Sequence, residues 1–237
     1  MTHDHRQTVS NSIRRMTRPA LLAGAVLTML LAVTGPLASA AHHDFERHAV
    51  THLLLGMLAP LLLCLTAPIT FAFRTLPRPA ARRLSRLLRS KPARVLTEPA
   101  IAATLNVGAL WLLYTTTLFA AMHANALVHV VVHLHMAVAG YLFIISMISV
   151  DPLPHRRSYP HRAAVLVLAI AAHDILAKII YASPPIGVPT DQAHAGAMIM
   201  YYGGDAVSIV ILIIFCARWV RDPRHSPVRG VVHAGTP

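Results

Sequence analysis

The chain is poor in charge. Asp, Glu, Lys and Arg make up 13% of its 237 residues, about half the ~25% of a soluble globular domain. Acid is scarcer still, with nine Asp and Glu against 21 Lys and Arg. Two cysteines exclude a disulfide framework. The longest basic stretch, Arg74 to Glu98, contains no aromatic residue. Single-stranded nucleic acid would have nothing to stack on there. The net charge of +12 is therefore read as topological, because the charges fall in the gaps between apolar runs. A chain that is 55% hydrophobic and divided this way is an integral membrane protein with no room for a separate soluble domain.

The apolar runs set an all-α fold, a polytopic transmembrane bundle. About 20 uncharged residues suffice to span a bilayer as a helix. Residues 1–18 are polar and basic and read as a cytoplasmic tail. Residues 19–40 are open to two readings. They form a first transmembrane helix, or a signal peptide with Arg14, Arg15 and Arg18 as its basic region and cleavage after Ala38-Ser39-Ala40. Further spans are expected over His48–Phe73, Pro99–Ala121, Ala126–Val150, Ala163–Ala182 and His194–Ala217. This makes about six helices, or five after cleavage, with residues 41–220 as the bundle and 221–237 as a second cytoplasmic tail. Basic residues collect in alternate connections. Arg74–Glu98, Asp151–Arg162 and the C-terminal tail are rich in arginine, whereas the turn before Ala126 and the loop Ser183–Ala193 have no Lys or Arg. By the positive-inside rule the basic loops are cytoplasmic. Leu84, Leu87 and Leu88 inside the longest one predict a short amphipathic helix on the membrane surface.

Histidine is the compositional excess, at 16 residues. His48 and His52 form one His-x-x-x-His pair, and His129 and His133 form another. Residues four apart share a helix face, so both imidazoles of a pair can reach one ion. His135 points elsewhere. The topology puts both pairs in the outer turns of inward-running helices, with His123, His194, Met57 and Met122 in the same half. Ionisable groups at such depth default to a functional reading. The expectation is one outer-leaflet metal site built from His48, His52, His129 and His133, with Met57, Met122 or His123 as possible additional ligands. Neutral imidazole suits copper, iron or zinc, and thioether favours Cu(I). A cleaved N-terminus, Ala41-His42-His43, would add a Cu(II) site. Asp174 and Lys178, four apart, predict an intrahelical ion pair. Gly203 and Gly204 predict close helix contact. Asp205 and His173 have no evident partner along the chain.

The segments HAVTHLLLGMLAPLLLCLTAPIT, HVVVHLHMAVAGYLF and GAMIMYYGGD, with the basic loop after the first, resemble the CtaG-like assembly proteins of bacterial caa-type cytochrome c oxidase. The resemblance runs from about His48 to Trp219. It implies a non-enzymatic role in oxidase maturation in the bacterial inner membrane. It also implies copper delivery and partnership with oxidase subunits. His48 and His52 match the first histidine pair of that pattern, His129 and His133 the second, and Asp205 the acidic end of the glycine motif. Two other classes stay open. A b-type haem protein would use one histidine from each of two helices as axial ligands. A membrane metalloenzyme would need an open coordination position and a nearby acid or base, for which Asp174 or Asp205 is available.

Overall fold

A computed structural model of the chain describes residues 2–34, 44–148, 150–151 and 154–222. Among these the regular structure is helical throughout, with no strand. Four helices are long and apolar enough to cross a membrane: Phe45–Leu65, Ala126–Ile148, Tyr159–Ala182 and Thr190–Val220. A fifth crossing is formed by Pro99–Thr115 with Leu118–Ala124 if that bent pair is counted as one. In chain order the helices are α1 (Thr2–Val33), α2 (Phe45–Leu65), α3 (Pro68–Thr75), α4 (Arg78–Leu88), α5 (Lys91–Leu96), α6 (Pro99–Thr115), α7 (Leu118–Ala124), α8 (Ala126–Ile148), α9 (Tyr159–Ala182) and α10 (Thr190–Val220).

The apolar part of α1, Thr17–Val33, is shorter than a full span and lies along α2. The proposed cleavage point after Ala40 and the Ala41-His42-His43 segment lie outside the described residues, as does the tail beyond Asp222. The basic loop forms a helix where one was expected, α4.

α2 and α8 cross closely. A Cβ on Gly140 would stand 2.1 Å from the Gly56 carbonyl oxygen, so only glycine permits this approach. The same carbonyl belongs to a π-helical turn, Leu53–Leu58. Pro60, four residues after Gly56, has no N–H to give it, and its ring would collide with it in a regular α-helix. Widening to π geometry relieves that conflict, and the Ala59 N–H bonds to Leu54 instead. α10 packs on both α9 and the first turns of α2. The Phe45 N–H donates to Gln192 Oε1 at 3.1 Å, fixing the start of α2 to α10. Gly203 admits Leu53 at the same contact, where a Cβ would come within 2.4 Å of its Cδ1.

The run Pro99–Ala121, expected as one continuous span, is broken. α6 and α7 meet at an 80° bend. Thr116 takes an extended conformation, with φ −123° and ψ −177°. Thr115 and Thr116 hydroxyls donate to the Trp111 and Leu112 carbonyls, both at 2.6 Å. Such bonds compete with the helical ladder and bend it. Thr116 Oγ1 then accepts from the Leu118 N–H at 3.2 Å and starts α7. Thr115-Thr116-Thr117 was the available signal for this break.

The arginine-rich connections meet at one end of the bundle. Glu98 takes His161 at 3.1 Å and Arg157 at 3.5 Å. Asp151 accepts from the Ile69 N–H at 3.1 Å, the Thr70 N–H at 2.7 Å and the Thr70 hydroxyl at 2.6 Å. The Tyr159 hydroxyl donates to the Arg218 carbonyl at 3.2 Å. This is the shared face that the alternation of basic loops requires. Cys64 is buried in the apolar cluster next to it, as packing.

Candidate metal site at the histidine end

His48 is buried in an aromatic box. Phe45, Tyr114 and Phe119 surround it, with ring centres 6.2, 6.0 and 5.1 Å away. Its Nε2 lies 3.1 Å from the Tyr114 hydroxyl. Two further histidines complete the surroundings: His133 of α8 at 6.0 Å and His123 of α7 at 6.1 Å between ring centres. The break at Thr116 is what carries His123 here, by laying α7 across the end of the bundle.

The ring orientations carry chemical information. His123 Nδ1 lies 2.9 Å from the Phe119 carbonyl and His133 Nδ1 lies 2.9 Å from the His129 carbonyl. A carbonyl oxygen can only accept, so both Nδ1 atoms carry the proton in the neutral rings and both Nε2 atoms carry lone pairs. Carbonyl support of one ring nitrogen while the other faces an ion is the usual arrangement around metal-bound imidazole. His135 is turned away, with Nε2 donating to the Leu105 carbonyl at 2.9 Å.

The four histidines singled out from the sequence are divided by the packing. His48 and His133 come together. His129 lies in the same cluster, but its ring stacks on His133 with centres 4.1 Å apart and planes at 22°. The two therefore lie face to face and do not open around a common point. His52, one turn beyond His48, faces His173 of α9 at 5.9 Å between ring centres. Among the described residues, no three His, Cys, Asp or Glu side chains are grouped closely enough to hold an ion as placed. His123 and His173 are the nearby residues that the spacing argument did not include among the four. His173 stands alone in its helix, and nothing along the chain shows that α9 meets α2 at that depth.

A cleft of about 470 Å³ opens beside His129 and His133, walled by Met29 and Val33 of α1 and by Thr51 and Leu55 of α2. Met122, buried at 1% exposure, belongs to the apolar cluster of Phe45, Tyr114 and Phe119. The expected Asp174–Lys178 pair does not form. Asp174 Oδ1 lies 3.7 Å from His173 Nδ1, and Lys178 Nζ sits 5.3 Å above the Tyr201 ring. The aromatic face offers the ammonium a partner that the α9 backbone alone does not.

A bundle of long apolar helices, with buried imidazoles gathered at one end and arginine-rich loops tied together at the other, defines a polytopic helical membrane protein. The comparison with known proteins narrows this. Residues 3–222 match the cytochrome c oxidase caa3 assembly factor family (Caa3_CtaG), and the chain belongs to that family. It is 29% identical over 212 residues to an uncharacterized protein of Mycobacterium bovis and to one of Mycobacterium tuberculosis. Each match covers 80% of this chain and 32% of the relative. An uncharacterized protein of Mycobacterium leprae is 27% identical over the same length. The chain thus spans about a third of the length of the curated relatives it matches. No solved structure matches it.

Proposed function

We propose that the chain is a non-catalytic assembly factor for a caa-type cytochrome c oxidase. In this reading it sits in the bacterial inner membrane with its C-terminus in the cytoplasm, and it holds copper at the outer face for transfer to oxidase subunits. The family supports the assembly role. One observation supports copper: His48 lies about 6 Å from both His133 and His123, and the last two present Nε2 lone pairs fixed by their backbone bonds. Small ring rotations bring such nitrogens onto one ion, and His129 can enter when it unstacks. Weak, exchangeable imidazole ligation suits a cargo that must leave again. His52 contributes one turn deeper.

The test is metal content and oxidase activity in membranes carrying His48→Ala, His52→Ala, His129→Ala or His133→Ala. Lower bound copper and lower oxidase activity at unchanged protein level support the reading. Parent-like copper in all four variants overturns it. A Soret band in the purified parent would replace copper by b-type haem.

A further inference from the structure

His52 and His173 form a unit of their own. Both are buried, at 1% and 6% exposure. Their ring centres are 5.9 Å apart and their planes lie within 22° of parallel. Neither nitrogen of His52 has a hydrogen-bond partner, nor has Nε2 of His173. Buried polar atoms without partners destabilise a fold, so three in one place call for a ligand. They line a cavity of about 30 Å³ shared with Met57, Asn106 and Ser208 and otherwise apolar. That volume holds a water or a bare ion. It is about a tenth of the ~300 Å³ at which organic-ligand pockets begin, so haem does not fit.

The backbone is shaped for these rings. A Cβ on Gly204 would stand 2.4 Å from His173 Cε1, and one on Gly56 would stand 3.3 Å from His52 Cε1 and Nδ1. Gly204 thus makes room for an imidazole, a more specific role than general helix contact. A carboxyl group is at hand: Asp174 Oδ1 lies 3.7 Å from His173 Nδ1.

We propose that His52 and His173 form an inner Cu(I) site, with Met57 as a third, thioether ligand. The proposal rests on the reading that this chain handles copper, and adds a second position to it. Two imidazoles that share an ion in a near-linear arrangement, at about 2 Å from each nitrogen, have ring centres roughly 6 Å apart; His52 and His173 stand at that distance but stacked, so their rings must turn for the nitrogens to face one ion. Thioether selects Cu(I) over zinc and other borderline cations. A single positive charge is also easier to place in this apolar cavity than a double one. His52 follows His48 by one helical turn, about 5.4 Å of axis. An ion can therefore pass between the outer cluster and the inner pair by exchange of ligands, with no change of oxidation state.

The experiment is a Cu(I) titration of the full purified chain in detergent under reducing conditions, against a competing Cu(I) chelator, with metal per chain counted. The parent binds two equivalents. His173→Ala binds one, and His48→Ala combined with His133→Ala also binds one. X-ray absorption of that double variant shows Cu(I) with two or three nitrogen and sulfur neighbours. His173→Met keeps both equivalents, which separates loss of a ligand from loss of fold. Parent-like binding by His173→Ala overturns the inner site. If the parent binds one equivalent that His48→Ala with His133→Ala abolishes and His173→Ala leaves intact, the inner site falls and the outer one stands. One equivalent lost only in His173→Ala supports the inner site and removes the outer. A parent that binds no Cu(I) overturns both.

Discussion

The two ends of this bundle use polar groups in opposite ways. At the arginine-rich end they are spent on holding the chain together. Asp151 caps α3 with both carboxylate oxygens, Glu98 ties α6 to His161 and Arg157, and the Arg162 guanidinium rests on the faces of Tyr159 and Phe215 at 4.8 and 5.1 Å. At the histidine end, packing is apolar and aromatic, and imidazole nitrogens are left with lone pairs or without partners. Unpartnered nitrogens are not confined to that end, since those of Arg162 and the His155 Nε2 also lack a hydrogen-bond partner. What sets the histidine end apart is the gathering of imidazoles from α2, α7, α8 and α9.

The largest effect comes from removing what joins the two ends. Gly140→Leu forces a side chain against the Gly56 carbonyl and drives α2 from α8. Overpacking destabilises by about 1–3 kcal/mol, and a clash with backbone falls at the upper end. Thermal unfolding of the detergent-solubilised protein should fall sharply, and copper binding with it. A Gly140→Leu protein with parental Tm would show that the crossing does not set the distance between His48 and His133.

Next come the ligand substitutions, which should break function without breaking fold. His133→Ala is expected to weaken Cu(I) binding on the order of 100-fold, as loss of a metal-supporting group does, while the unfolding temperature stays near the parent's. A large fall in Tm with unchanged copper would make this histidine a packing residue.

Asp151→Ala is the converse. It removes both capping oxygens and should cost about 1–2 kcal/mol of stability, measured by thermal unfolding, with copper binding unaltered. A parallel loss of copper would mean that the two ends are coupled.

The smallest effect concerns Glu98. Partial burial pushes its carboxyl up, but the Ile101 N–H, the His161 ring and the Ala100 N–H outweigh this and hold it below its ordinary value. A lowered folded value gives stability that is complete above the ordinary glutamate pKa of about 4.3 and is lost as pH falls through the folded value. Glu98→Gln should therefore flatten the acid limb of the stability curve and leave neutral-pH copper binding intact. An unchanged acid limb would mean that the α6–α9 tie carries no weight.

How much of this was legible along the chain follows from the range of each interaction. Membrane insertion, helical class, the positions of four long spans and the shared face of the basic loops were decided by local composition, because lipid admits only helices or closed barrels and continuous apolar runs of about 20 residues fit the helix. The i, i+4 histidine pairs were equally local. Two things depended on tertiary packing, and a third, the break at Thr116, was local and signalled by three successive threonines. α6 and α7 separate at Thr116 because hydroxyl–carbonyl bonds outcompete the helical ladder there, and this brings His123 onto His48. Lys178 leaves Asp174 because α10 supplies Tyr201. His52 parts from His48 because the surrounding helices present different partners to successive turns of α2: His133 and His123 to one, and His173, seated against Gly204, to the next. Spacing along one helix states which side chains can meet. Only the crossing of helices, set here by Gly56, Gly140, Gly203 and Gly204, decides which of them do.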